Sequence, residues 1–157
     1  MKKVLVTGGT VFVTGKKAST FRQAYEVTEI GANLSKDGVF ATNTSSFLVE
    51  GEGKIDGSSD NLMFANVVAY DAFSVYANVR GEDKGSLLIR DGLNKKDVFY
   101  GAYIDGEKLQ IIARTAIGKQ SIVIKELDCT KNTYVKLSRN ANNEFVAYKT
   151  EVTDGKL

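Results

Sequence analysis

Apolar and polar residues alternate with a period of two over much of this chain. In Asp71–Arg80, Phe73, Val75, Ala77 and Val79 fall on one face, and Ser74, Tyr76, Asn78 and Arg80 on the other. That spacing predicts a strand buried on one side. Glu144–Thr150 sets Phe145 and Ala147 against Val146 and Tyr148, and pairs with Thr133–Ser138 across the loop Arg139–Asn143, whose asparagines suit left-handed turns. Further strands are predicted at Ser46–Val49, Leu62–Asn66, Gly85–Ile89, Val98–Ile104, Lys108–Arg114 and Ser121–Lys125. Gly85–Arg114 reads as three short strands joined by Asp-Gly turns, with Asp105-Gly106 as the central pair of a type I′ hairpin.

Asp37-Gly38, Asp56-Gly57, Asp91-Gly92 and Asp154-Gly155 repeat the same turn signal. Short strands at this spacing, with no long helical pattern, predict an antiparallel all-β sandwich or barrel. Thr20–Ile30 has the least regular pattern and fits a short helix. Lys3–Thr14 reads as strand–turn–strand, with Gly8-Gly9 at the turn.

Composition narrows the chemistry. A chain of 157 residues fits one domain with a real core. Its net charge of +2 lacks the basic excess of a nucleic-acid binder. No apolar run approaches the roughly 20 residues of a membrane-spanning helix. Histidine is absent, removing the commonest general base and metal ligand. Cys129 is the single cysteine, so no disulfide closes within the chain, and Cys129 is expected to be a partly buried bystander. The acids cluster in turns rather than as two carboxylates on one strand face, the arrangement a retaining glycosidase needs. An enzyme is not expected.

The opening MKKVLVTGGTVFV resembles the first strand and glycine turn of the NAD-dependent epimerase/dehydratase family. Gly8 fits that pattern, but Val11 and Thr14 stand where its second and third glycines belong, and the plain hairpin reading is preferred.

A broader resemblance begins near Ser46. A glycine-rich segment, GEGKIDGSSDNLMFA (Gly51–Ala65), precedes the strand FSVYANVR (Phe73–Arg80). GSLLIRDG (Gly85–Gly92) follows, then a strand pair closing in Arg114, then YVKLSRNANNEFVAYKT (Tyr134–Thr150). This order resembles the concanavalin A-like jelly-roll modules attached to secreted bacterial polysaccharide-degrading enzymes. The chain departs from them in having no tryptophan and in ending at Leu157, soon after Asp154-Gly155. Either Lys3–Thr14 fills the vacant place in the sheet or the chain is part of a larger protein.

The resemblance implies a non-catalytic carbohydrate-binding or accessory module, acting outside the cell beside other modules of a parent protein. A structural sandwich, serving as spacer, adhesion or assembly domain, is the alternative, and a cytoplasmic location fits the residues as well. Sugar platforms combine aromatic faces with polar groups that fix hydroxyls. Tyr76, Asn78 and Arg80 share one strand face, and Arg90, Asp91, Tyr103 and Arg114 join them as candidates, with Tyr100, Tyr134 and Tyr148 behind. The arginines suit bidentate recognition of a carboxylate, hence an acidic polysaccharide or oligosaccharide. Glu50, Glu52, Asp56 and Asp60 crowd oxygen ligands into one loop and are candidates for a structural calcium. The two functions separate on whether Tyr76, Arg80, Arg90 and Arg114 converge on one exposed face.

Overall fold

The computed structural model describes residues 2–6, 11–14, 26–31, 39–42, 47–50, 55, 57–69, 71–78, 84–130 and 133–151. No helix occurs among them. The strands are β1 (Lys2–Val6), β2 (Val11–Thr14), β3 (Glu26–Ile30), β4 (Val39–Thr42), β5 (Phe47–Glu50), β6 (Leu62–Ala69) and β7 (Phe73–Asn78). There follow β8 (Lys84–Arg90), β9 (Phe99–Asp105), β10 (Lys108–Arg114), β11 (Ile122–Asp128), β12 (Thr133–Arg139) and β13 (Phe145–Glu151). A seven-stranded sheet has the order β11-β10-β9-β8-β1-β6-β3, a four-stranded sheet the order β13-β12-β7-β2, and β4 and β5 form a separate hairpin. Every pairing is antiparallel.

Alternation sets the layering. Phe73, Val75 and Ala77 of β7 and Val135 and Leu137 of β12 point inward from the small sheet. They meet Leu87, Ile89, Ala102, Ile104, Leu109 and Ile111 of the large one. The molecule is therefore a β-sandwich with its main core between the sheets. The large sheet is also covered on its far face, where Ile30, Leu62, Phe64, Leu88, Phe99 and Ile112 form a second buried cluster. Burial on both faces explains the unbroken apolar runs Leu87-Leu88-Ile89 and Ile111-Ile112, which alternation alone does not predict.

Four local expectations are corrected. β1 and β2 do not form a hairpin. β1 lies between β6 and β8 in the large sheet, while β2 pairs with β7 in the small one. That central place satisfies both edges of β1, which a lone hairpin partner cannot do. Of the stretch Thr20–Ile30, residues 20–25 lie outside the described residues, and residues 26–30 are strand rather than helix, because their pairing with β6 overrides a weak local pattern.

The third correction concerns the turn after β9. Asp105 pairs with Lys108, so Gly106 and Glu107 are the central residues, and only Gly106 has positive φ, at 59°. That is the φ pattern of a type II′ turn with glycine first, not of type I′. Fourth, Asp91-Gly92 is no tight turn, since residues 91–98 separate β8 from β9.

Among the described glycines, Gly101 has the closest neighbour to an added Cβ. It sits opposite Leu88 on β8 and Ile112 on β10. A Cβ there would strike the Leu88 side chain and come within 2.7 Å of the Leu87 carbonyl oxygen. Gly101→Ala is therefore expected to cost about 1–3 kcal/mol as an overpacked core site. Denaturant titration should also find Gly101→Ala and Leu88→Ala less than additive, because shortening Leu88 removes the side-chain part of the clash and leaves the approach to the Leu87 carbonyl.

Candidate functional site

The strand ends β8 and β10 bring Arg90 and Arg114 to opposite sides of Phe99 in one cross-strand row. All three side chains turn toward the far face of the large sheet, the face of the second cluster. The Arg90 guanidinium carbon lies 5.8 Å from the centre of the Phe99 ring and 5.8 Å from that of Phe64. The Arg114 carbon lies 5.0 Å from Phe99. Aromatic faces are among the few apolar surfaces that welcome a cation.

Both guanidiniums converge on Asp60. Arg114 Nη2 donates to Asp60 Oδ1 at 2.6 Å and Arg114 Nη1 to Oδ2 at 2.9 Å, a fork-to-fork pairing. Arg90 Nη1 donates to the same Oδ2. The paired side chains have no exposed surface. Backbone carbonyls accept further bonds from both guanidiniums. Arg90 donates to Gly92 O at 3.3 Å and Asn94 O at 2.8 Å. Arg114 donates to Gly57 O, Lys95 O, Asp97 O and Lys119 O at 3.0–3.2 Å.

This cluster ties three loops to the sheet: 57–60, 91–98 and 115–121. Backbone bonds complete the tie, Asp60 N to Lys95 O at 2.7 Å, Gly118 N to Lys96 O at 2.9 Å and Ser121 N to Gly57 O at 2.8 Å. The Asp97 carboxylate accepts from Asn94 N at 2.8 Å and folds the 91–98 loop on itself. Arg90 thus finds its carboxylate thirty positions away rather than in neighbouring Asp91, which is exposed.

The other candidates fall on different surfaces. Tyr76 lies on the outer face of the small sheet, in register with Lys136 of β12, which is in register with Tyr148 of β13. The Lys136 ammonium stands 5.2 Å from the centre of the Tyr76 ring and 5.0 Å from that of Tyr148, and Tyr148 is 51% exposed. Ser74 and Ser138 share a 2.8 Å hydroxyl hydrogen bond in the next row. Tyr103 is half-buried against the second cluster on the far side of the molecule. Tyr100 packs on Phe145 with ring centres 5.4 Å apart, and burial raises its phenol above the usual range.

Asn78 pairs through its backbone with Tyr134, while Arg80 lies outside the described residues. Tyr76, Arg90 and Arg114 therefore share no face. Sequence reasoning named Arg90, Arg114 and Asp60 without joining them, and it missed Lys136. The even spacing of Tyr134, Lys136 and Ser138 was the signal available for Lys136.

The proposed calcium ligands divide as well. Both Asp60 oxygens already accept from guanidiniums. Glu50 is described by its backbone only, and Glu52 and Asp56 lie outside the described residues. Among the described residues, no three acids, histidines or cysteines gather as a metal site. Cys129 is buried beside the main core, its thiol 3.8 Å from Gly106 O.

At the sheet margin, Lys108 Nζ bonds Asp128 Oδ1 at 2.6 Å and lies 3.9 Å from Glu126. The hydrogen bond and attraction to Asp128 raise the Lys108 pKa, and the same pairing lowers that of Asp128. No family model, no curated protein and no solved structure matches this chain.

Two outcomes follow. Asp60→Asn keeps the shape but removes the charge, leaving two buried guanidiniums without their anion. It is expected to cost about 3–5 kcal/mol. Arg90→Met should cost less, because Arg114 still holds Asp60 through both oxygens. Chemical denaturation of the two variants checks the order.

For the exposed Lys108–Asp128 pair, the lowered Asp128 pKa gives a contribution present above the ordinary carboxylate value of 3.8 and lost as pH falls through the lower folded value. The raised Lys108 pKa gives one complete below 10.5 and lost as pH rises through the higher folded value. Melting temperature against pH should therefore fall less steeply in acid for Asp128→Asn than for the parent chain.

Proposed function

We propose that this chain is a non-catalytic structural or interaction β-sandwich, acting through its surfaces as an assembly unit. The observation that carries this reading is the complete burial of Arg90 and Arg114 with Asp60. The guanidiniums that best suited a carboxylate ligand are engaged in holding loops to the sheet. A buried guanidinium whose every nitrogen already donates to a carboxylate or a carbonyl is poorly placed to bind a solute.

One observation favours a second reading, a carbohydrate-binding module of the concanavalin A-like jelly-roll kind. The Tyr76–Lys136–Tyr148 row presents two rings and an ammonium on the outer face of the small sheet. Rings of this kind can stack on sugar C–H faces. Such a platform would be shallow, and Lys136 would favour an acidic saccharide. The resemblance of residues from about 46 onward to those modules supports this second reading, as does the even spacing of the outward residues.

A glycan and polysaccharide screen, with and without calcium and including pectic polymers, separates the two. The expected result is no saturable binding by the parent chain. Saturable binding abolished by Tyr76→Ala and Tyr148→Ala, with far-ultraviolet circular dichroism unchanged, would overturn the structural reading in favour of the module.

A further inference from the structure

β11 is a terminal strand of the large sheet, and its outer edge has no strand partner among the described residues. Ile122, Val123 and Ile124 are 53%, 54% and 53% exposed, three consecutive apolar side chains that therefore cover both faces of the edge. Ile124 also lacks a partner on β10, because the register slips there: Ile111 faces Lys125 and Ile112 faces Val123. An open edge with exposed β-branched residues is a template for pairing.

From these features we infer that β11 pairs antiparallel with β11 of a second copy, centred on Val123, joining two large sheets into one. This rests on the interaction reading above and names its partner. Two identical antiparallel edges are related by a two-fold axis perpendicular to the sheet, so one residue must face its own copy. The choice of that residue is testable by charge and polarity.

Centring on Val123 brings Ile122 and Ile124 of the two copies together at the seam; beyond the bulge at Ile124, Lys125 shares the face of Ile111 and Glu126 that of Gln110, so neither lines up with Ser121 or Gln120 of the partner. Centring on Ile124 would set Ile122 against Glu126 and Val123 against Lys125. Centring on Lys125 would oppose two ammonium groups. Like charges directly opposed across strands are unfavourable, so the Val123 register is preferred.

The strip from 119 to 128 suits a copy of itself electrostatically. It holds Lys119 and Lys125 against Glu126 and Asp128, two positive and two negative charges, hence no net charge. Glu126 and Asp128 are already bonded to Gln110 and Lys108, leaving the apolar half of the strand for the partner. An isologous contact of this kind consumes both β11 edges and closes as a dimer rather than growing into a filament.

Analytical ultracentrifugation over a concentration series, with Val123→Lys and Ile117→Lys beside the parent chain, tests the pairing. Ile117 is 74% exposed but lies outside the paired strip, so it controls for general stickiness. The parent and Ile117→Lys should show the same monomer–dimer equilibrium, and Val123→Lys should weaken it at least tenfold.

Val123→Cys should form an interchain disulfide under mild oxidation, because directly opposed residues bring their Cα atoms within bridging distance. Lys125→Cys should not, and neither should the parent chain, whose Cys129 is buried. A parent chain that stays monomeric throughout, a dimer that survives Val123→Lys, or cross-linking through Lys125→Cys instead would overturn the inference. Glycan binding alongside normal dimerisation would overturn the proposed function and leave the self-pairing standing, so the two failures are distinguishable.

Discussion

Everything on the far side of the large sheet depends on one carboxylate holding two guanidiniums out of water. Transferring Arg90, Arg114 and Asp60 from solvent costs several kcal/mol per ion, and Coulomb attraction offsets this only when the geometry is complete. Here completeness comes from the fork of Arg114, the shared Oδ2, and carbonyl oxygens from residues 57, 92, 94, 95, 97 and 119. Two cations facing one anion leave an excess positive charge. It is spread over those carbonyl dipoles and over the faces of Phe64 and Phe99. Removing one partner of such a cluster leaves an uncompensated buried charge.

The cluster also explains how the sheet can be apolar on both faces. The small sheet covers one face of the large sheet. On the other, the second cluster, Ile30, Leu62, Phe64, Leu88, Phe99 and Ile112, needs a lid. Irregular loops make poor lids, because their backbone carbonyls need donors. The two arginines supply those donors, so loop backbone can lie over apolar side chains without stranded acceptors. Loop backbone therefore lies over the described part of that face, whereas the outer face of the small sheet and the β11 edge carry exposed side chains.

Those two surfaces differ in kind. The Tyr76–Lys136–Tyr148 row is amphipathic and already internally paired, with the ammonium seated between rings. The β11 edge is apolar, and its backbone edge is open among the described residues. Burial of Ile122–Ile124 would gain hydrophobic free energy together with a continued hydrogen-bond ladder, whereas the aromatic row gains only where a ligand offers matching faces.

What the sequence by itself determined was local. The alternation in Phe73–Asn78 and Phe145–Glu151, and the asparagine loop with Asn143 at a φ of 63°, were readable because side-chain period and turn conformation are properties of neighbouring residues. The all-β class followed from the same source.

Tertiary structure alone decided how distant pieces meet. β1 left its apparent hairpin partner for the middle of the large sheet, since a central strand satisfies two edges. Residues 26–30 became a strand because β6 offered a ladder. Arg90, Arg114 and Asp60 were each visible as candidates. Their union across thirty and fifty-four positions depended on which face of which strand each occupied and on where the loops crossed. No spacing rule encodes that. The buried charge found its partner through the packing of the whole sheet, because only there is water excluded enough for the pairing to matter.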